Sequence, residues 1–108
     1  MDCLAVSIGT VHVRMKGVPK LDYNRLAKIK AATTVPLVIH GGTGLSDDQF
    51  RRLIVHGEAK INYYTALTDA ASRSIRENVA ADRKGDHSTL LKGVRDAVRE
   101  ETERCLRL

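Results

Sequence analysis

The chain has 108 residues and a formal net charge of +5, from 18 Lys and Arg against 13 Asp and Glu. This length allows one modest hydrophobic core, and 43% hydrophobic with 29% charged residues is typical of a folded globular protein rather than a fibrous or disordered one. The apolar runs are too short for a membrane span, which needs about 20 residues, and no secretory signal is recognisable. We therefore expect a cytoplasmic protein without a membrane partner.

The basic residues and the cysteines indicate no specialised class of protein. Most Lys and Arg lie beside acids, as in RDAVREETER, without interleaved aromatic residues. A nucleic-acid partner is therefore not expected, although the charge is compatible with a basic groove for a small anion. Cys3 and Cys105 lie near opposite ends without CxxC spacing, and we expect both to be buried small hydrophobic residues of a reducing compartment.

The amino-terminal half of the sequence predicts two strands around one helix. The run from Cys3 to Ile8 is short and apolar, which predicts a strand buried on both faces. Asp22 suits a helix N-cap, and Leu26 and Ile29 follow it at helical spacing. Pro36 ends this helix and opens PLVIH, a second strand, because proline is tolerated at the first position of a strand.

The carboxyl-terminal half predicts a third strand among helices. SDDQ at residues 46–49 is a capping-box pattern, which predicts a helix that ends at Gly57. EAKIN at residues 58–62 predicts a strand, and residues 66–81 carry apolar side chains every four positions, as in an amphipathic helix. Ser88 is then predicted to cap one last helix, whose apolar face would comprise Leu91, Val94, Val98 and Cys105 or Leu106.

Strands that alternate with helices predict an α/β fold with a parallel sheet and right-handed crossovers. In such folds ligands bind beyond the carboxyl ends of the strands, where this sequence places polar residues. His12 follows the first strand, His40 ends the second, and the third leads to Asn62 and Thr65. We expect these residues to face one site.

The two histidines at neighbouring strand ends suit a zinc ion, because neutral imidazole is a common zinc ligand. A catalytic zinc takes three protein ligands, so His12 and His40 would need a third from outside the chain. The alternative is that both are hydrogen-bonded strand-end residues without a metal. His56, at a helix end, and His87, in the last turn, are not expected to join them.

The loop GGTG at residues 41–44 joins the second strand to the capped helix. Its glycines would let backbone amides approach an anion, Thr43 would add a hydroxyl, and the helix that begins near Ser46 would add its positive end. Lys16 would bring a mobile positive charge. The loop therefore predicts a phosphate site, and the alternative is a tight turn without a ligand.

Four segments together resemble a known family. DCLAVSIGTVH, KLDYNRLAKI, VPLVIHGGTGLSDDQFRRLI and GEAKIN followed by Thr65 closely resemble, in one register, the carboxyl-terminal part of the class II, zinc-dependent fructose-bisphosphate and tagatose-bisphosphate aldolases. That family folds as a (β/α)8 TIM barrel. The resemblance implies that residues 1–108 form a single partial TIM-barrel domain, with the last three βα units, parallel strands and a closing helix.

The resemblance also implies roles for the matching residues. His12 and His40 match two zinc-binding histidines, and Asn62 matches a residue that contacts the substrate. The residues that match the family's substrate-phosphate site are Lys16, Gly41, Thr43, Asn62 and Thr65. The implied reaction is reversible aldol cleavage of fructose- or tagatose-bisphosphate to dihydroxyacetone phosphate and glyceraldehyde 3-phosphate. Zn²⁺ would act as a Lewis acid, and a monovalent cation would bind near the phosphate.

Three departures from the family pattern bear on activity. Val13 stands where a glycine usually follows the first histidine, and Tyr64 stands where an acid or a small residue is usual. The amino-terminal part, with the remaining zinc histidine and the proton-transfer acids, has no counterpart here, and a TIM barrel needs about 250 residues. We therefore expect a fragment that needs a complementing N-terminal half or forms a homo-oligomer. The alternatives are a non-catalytic remnant that binds a phosphorylated ligand or associates through open sheet edges, and a dimer sharing a four-histidine zinc site.

Overall fold

The computed structural model describes residues 1–10 and 17–108, in which the chain forms two compact units, residues 1–64 and 65–108. In the first unit, three strands alternate with two helices. They are β1 (Leu4–Val6), α1 (Tyr23–Ala32), β2 (Leu37–Ile39), α2 (Asp47–Val55) and β3 (Glu58–Ile61). The strands are parallel and lie in the order β1-β2-β3, so the predicted parallel sheet is confirmed.

Local sequence signals begin both helices of the first unit. The Asp22 side chain accepts a hydrogen bond from the Arg25 N–H at 2.9 Å and is the N-cap of α1, as predicted. At α2, the Ser46 hydroxyl accepts from the Gln49 N–H, and the Gln49 side-chain oxygen accepts from the Ser46 N–H. This capping box was also predicted, and it satisfies donors that a helix start otherwise leaves unpaired.

The core of the first unit centres on β2, whose three residues are all buried. The largest fully buried side chains are Ile8, Leu26, Leu37, Ile39 and Leu53. The prediction that the first strand is buried on both faces is wrong, because β1 has only three residues and Ala5 within it is exposed. Among the described strands β1 pairs only with β2, so it lacks the cover of a central strand.

Gly57 makes the turn from α2 into β3. Its φ is 96°, a left-handed conformation that favours glycine, and the predicted end of the helix is confirmed. β3 then pairs with β2 through one irregularity, because Leu37 lies opposite Glu58 whereas Val38 lies opposite Lys60. Such a bulge changes the direction in which side chains leave the strand.

The second unit contains three helices, α3 (Thr65–Ala81), α4 (His87–Leu91) and α5 (Val94–Leu106). The amphipathic helix predicted at residues 66–81 is present as α3. The prediction of one last helix capped by Ser88 is wrong, because Gly93 adopts a φ of 75° and separates α4 from α5. Asp86 caps α4 instead, and its side chain accepts from the Thr89 N–H at 2.9 Å.

Asn78 connects α3 to the end of α4. Its side-chain amide donates to the carbonyl oxygens of Leu90 at 2.8 Å and Lys92 at 2.9 Å. A helix as short as α4 leaves terminal carbonyls unpaired, so this one side chain satisfies two of them. No described helix has both the length and the apolar character that a membrane span requires.

The two cysteines do not have the predicted burial. Both are free thiols, but Cys3 is exposed and Cys105 is only half-buried. Cys3 precedes the thinly covered edge strand β1, which explains why an apolar sequence context does not bury it. Partial burial raises the pKa of the Cys105 thiol.

Candidate active site at the carboxyl ends of the strands

His40 and Asn62 meet at the carboxyl ends of two neighbouring strands. His40 follows β2 directly and is half-buried, and Asn62 follows β3. The side-chain amide nitrogen of Asn62 lies 2.9 Å from Nδ1 of His40 and 3.4 Å from its Nε2. A candidate metal ligand and a candidate substrate contact are therefore in direct contact.

Backbone hydrogen bonds hold the two strand ends in this arrangement. The Asn62 N–H donates to the Ile39 carbonyl at 2.8 Å, and the Gly42 N–H donates to the Asn62 carbonyl at 3.0 Å. The backbone of Asn62 thus bonds to residues on both sides of His40. Strand ends that are held by backbone hydrogen bonds position side chains more precisely than a free loop does.

The glycine-rich loop passes close to β3. Gly41 and Gly44 adopt φ values of 75° and 89°, which favour glycine. Gly42 is required for a different reason, because a Cβ there would lie 2.8 Å from Cγ2 of Ile61 and 3.0 Å from the Asn62 carbonyl oxygen. The loop is therefore shaped for close backbone approach, and α2 begins immediately after it at the capping box.

A cavity of about 230 Å³ opens beside His40. It is also lined by Ala5, Val6, Ser7 and Thr10. The hydroxyls of Ser7 and Thr10 are candidate hydrogen-bonding groups at this cavity. Thr10 lies just beyond β1, where the sequence predicts residues of the site, whereas Ser7 was not predicted, although it follows β1 directly.

The other predicted site residues are distributed as follows. Thr43 lies half-buried in the glycine loop. Thr65 is the first residue of α3, in the second unit, and its carbonyl accepts from the Thr68 hydroxyl at 2.9 Å. His12 and Lys16 fall outside the described residues.

Two aromatic clusters account for other conspicuous side chains. His56 lies at the end of α2, with its ring centroid 5.2 Å from that of Tyr23 and its Nδ1 2.6 Å from the Arg52 carbonyl oxygen. Tyr63 packs edge-on against Phe50 with centroids 6.0 Å apart. These contacts place His56 and Tyr63 in structural packing, while Tyr64 is 73% exposed.

Among residues 1–10 and 17–108, no three His, Cys, Asp or Glu side chains lie close enough together to hold a metal ion. His40 contributes one imidazole, which is a suitable ligand for zinc by its chemistry. The Asn62 amide nitrogen can only donate, so it meets a lone pair of the His40 ring, and zinc would have to bind the other ring nitrogen or replace this contact. The described residues thus fit part of a zinc site, and the remaining ligands would come from His12 and from another segment.

Comparison with known proteins identifies the family. The family model described as fructose-bisphosphate aldolase class-II matches residues 1–108. The chain belongs to the class II fructose-bisphosphate aldolase family. The membership that the sequence resemblance predicted is therefore confirmed.

Three aldolases illustrate the similarity. The 6-phospho-5-dehydro-2-deoxy-D-gluconate aldolase of Shouchella clausii is 43% identical over 91 residues, which cover 84% of this chain and 31% of that protein. The fructose-bisphosphate aldolase of Geobacillus stearothermophilus is 44% identical over 82 residues, or 76% of this chain and 29% of that protein. The solved YdjI aldolase of Escherichia coli has a TM-score of 0.81 and 34% identity, and the match covers 98% of this chain and 38% of that chain.

The chain spans 29 to 38% of the length of these three aldolases. Its parallel sheet and helices match the solved aldolase over nearly the whole chain. The predicted fold class, the carboxyl-terminal part of a TIM barrel, is consistent with this match. Because the family model matches residues 1–108, the family assignment rests on the whole chain and not on one motif.

Proposed function

We propose that this chain supplies the carboxyl-terminal part of a zinc-dependent class II ketose-bisphosphate aldolase. It would catalyse reversible cleavage of fructose- or tagatose-bisphosphate to dihydroxyacetone phosphate and glyceraldehyde 3-phosphate when the rest of the barrel is supplied. In this proposal residues 1–108 act as one partial barrel domain of a cytoplasmic protein. The observation that carries it is the contact of His40 with Asn62 beside the glycine loop, in a chain that matches the family over residues 1–108.

In the proposed site, His40 and His12 hold zinc together with a ligand from outside the chain. Zinc bound there would supply Lewis-acid stabilisation of the negative charge that develops on the substrate oxygens. The protein's own contribution is orientation. Asn62 contacts the imidazole of His40, so the ring is held in place before any ligand arrives, and the same amide is available to the substrate's hydroxyl end.

The substrate phosphate is proposed to bind the glycine loop. The Gly42 N–H is engaged with the Asn62 carbonyl, so the phosphate would be bound by Gly41 and Thr43, near the amino-terminal end of α2. Lys16, Asn62 and Thr65 complete the proposed phosphate contacts, with a monovalent cation nearby. The position of the loop directly before the capped amino-terminal end of α2 supports this role.

The names of the relatives support a phosphorylated substrate. One relative is a fructose-bisphosphate aldolase, and another is an aldolase for 6-phospho-5-dehydro-2-deoxy-D-gluconate. Both substrates carry phosphate on a sugar-derived chain. We infer that the phosphate loop is the shared feature and that selection between substrates depends on other segments.

Complementation tests this proposal. The chain is coexpressed with, or fused to, the amino-terminal segment of the Geobacillus stearothermophilus fructose-bisphosphate aldolase that precedes the matched region. We expect zinc-dependent cleavage of fructose or tagatose bisphosphate from the combination and none from either part. His40→Ala should abolish it and His56→Ala should preserve it. Absence of cleavage from both the mixture and the fusion would contradict the proposal.

The second candidate is a non-catalytic remnant that binds a phosphorylated ligand or associates through its sheet. The favouring observation is that β1 and β3 are the outer strands of the described three-stranded sheet, and edge strands can pair with other chains. Equilibrium dialysis with zinc separates the candidates. A remnant should bind zinc weakly, with no effect of His40→Ala, whereas the complemented enzyme should lose affinity. Sizing the chain alone would show whether it forms a homo-oligomer.

A further inference from the structure

Glu58 is a buried acid with no described partner. It is the first residue of β3 and is only 7% exposed. Both of its carboxylate oxygens are inaccessible, and no described residue lies within hydrogen-bonding distance of either. A carboxylate buried without a partner is costly, since the charged form loses its hydration. The side chain therefore requires an explanation that the proposed catalytic function does not provide.

Glu58 faces an apolar residue on the neighbouring strand and feels the charge of one cation. Leu37 lies opposite it on β2 and is fully buried. Burial raises the pKa of Glu58 to about 7, and the positive charge of Lys30 acts in the opposite direction. The charged side chains of the packed helix α2 and of β3 are exposed, namely Asp47, Asp48, Arg51, Arg52 and Lys60.

The Lys30 side chain lies along Gly57, the residue that precedes Glu58. Lys30 lies in the last turn of α1. Its Cγ, Cδ and Cε atoms lie 3.1 to 3.2 Å from the position that a Cβ on Gly57 would occupy. A larger residue at position 57 would therefore press on the lysine stem. The glycine provides both the left-handed turn and the room for this side chain.

We propose that Glu58 and Lys30 form a proton-controlled latch between the end of α1 and the start of β3. With the carboxyl protonated, Glu58 stays buried as a neutral group and Lys30 remains solvated. When the proton leaves, the carboxylate recruits the Lys30 ammonium group, whose flexible stem already lies along Gly57. The Glu58–Lys30 latch thus places an ion pair between the end of α1 and the start of β3 as the pH rises through neutrality, and this pair offsets part of the cost of ionising a buried carboxyl.

The latch is independent of the proposed aldolase function. Glu58 lies at the amino-terminal end of β3, whereas Asn62 follows the carboxyl end of the same strand. The latch is expected to alter how firmly β3 is held, without contact with the reacting atoms. Its test therefore uses the chain itself and needs no catalytic readout.

An NMR titration of the side-chain carboxyl carbon of Glu58 tests the latch directly. In the unmodified chain the midpoint should lie near pH 7 rather than near 4.5. Lys30→Met should raise the midpoint by about 1 pH unit, since it removes the opposing cation. Lys28→Met, an exposed lysine on the same helix, is the matched control and should leave the midpoint unchanged.

A second readout follows the lysine. Nuclear Overhauser contacts between the Lys30 side chain and Glu58 should strengthen above the midpoint, and Glu58→Gln should remove their pH dependence. A midpoint near 4.5, or equal midpoints for Lys30→Met and Lys28→Met, would overturn the proposal. The titrations of the unmodified chain and of the lysine variants still decide the question where Glu58→Gln does not fold.

Discussion

The side-chain amide nitrogen of Asn62 lies 2.9 Å from Nδ1 of His40, although 22 residues separate them in the sequence. The contact joins the ends of β2 and β3, which backbone hydrogen bonds through Ile39 and Gly42 already hold together. The two residues therefore form one structural unit. A change in either should affect both the proposed metal ligand and the proposed substrate contact.

Replacing Asn62 with alanine is expected to lower the activity of the complemented enzyme about 100-fold and to alter its zinc affinity, because the His40 ring loses the side chain that holds it in place. Zinc titration and steady-state kinetics measure the two effects separately. Asn24→Ala, an exposed position on α1, is the control. Unchanged zinc affinity together with unchanged kcat/KM would contradict a positioning role.

Gly42→Ala should destabilise the first unit by about 1–3 kcal/mol, because the new methyl group would overpack a site with no room for it. A Cβ there would lie 2.8 Å from Cγ2 of Ile61 and 3.0 Å from the Asn62 carbonyl oxygen. Urea unfolding measures the loss. NMR signals of His40 and Asn62 should also shift, because the Asn62 backbone must move.

Gly17→Ala is the contrasting control. No atom lies within 4 Å of a Cβ at this position, although its φ of 82° disfavours alanine. It should lower stability through local strain while leaving the signals of His40 and Asn62 in place. Equal shifts in both variants would show that the close approach at Gly42 does not control the site.

The sequence predicts the helix starts of the first unit well because each depends on residues three positions apart. Asp22 reaches the Arg25 N–H, and Ser46 and Gln49 bond to each other. Such bonds follow from local spacing alone. The parallel orientation of the strands follows from their alternation with helices, and this alternation also brings His40 and Asn62 to the same edge of the sheet.

The sequence predictions fail where the structure depends on which neighbours cover a strand, or where two residues compete for one helix cap. Cys3 and Ala5 are exposed because β1 is an outer strand among those described, and the apolar pattern does not reveal which neighbours cover a strand. The last helical segment contains two plausible caps, and Asp86 takes the role expected of Ser88. Gly93 then interrupts a periodic apolar pattern that otherwise predicts one continuous helix.

This assignment of the cap gives a paired prediction for the second unit. Asp86→Ala should destabilise α4 more than Ser88→Ala, because Asp86 accepts the Thr89 N–H and Ser88 lies inside the helix. Amide hydrogen exchange at Leu90 and Leu91 measures the difference. Hydrogen bonds from Thr89 lower the pKa of Asp86 below its ordinary 3.8. The difference should therefore be present above about pH 4 and disappear as the pH falls through the lowered pKa. A larger effect of Ser88→Ala would restore Ser88 as the cap.

Glu58 should make the chain less stable as the pH rises, whereas the contribution of Asp86 is lost as the pH falls. Its pKa is raised in the folded state from 4.5 to about 7, so between these values the folded chain binds more protons than the unfolded chain. The free energy of unfolding should therefore fall as the pH rises through this window and level off above it. The raised pKa corresponds to a fall of about 3 kcal/mol.

Glu58→Gln should remove this fall because an amide is similar in size but does not ionise. Urea unfolding at pH 5, 6, 7 and 8 should then show no fall of this kind in the free energy of unfolding of the variant. At pH 8 the variant should be more stable than the unmodified chain. Lys30→Met should extend the fall of the otherwise unmodified chain to higher pH, since the carboxylate loses its cation. If the unmodified chain and Glu58→Gln respond identically to pH, the buried carboxyl does not control stability in this range.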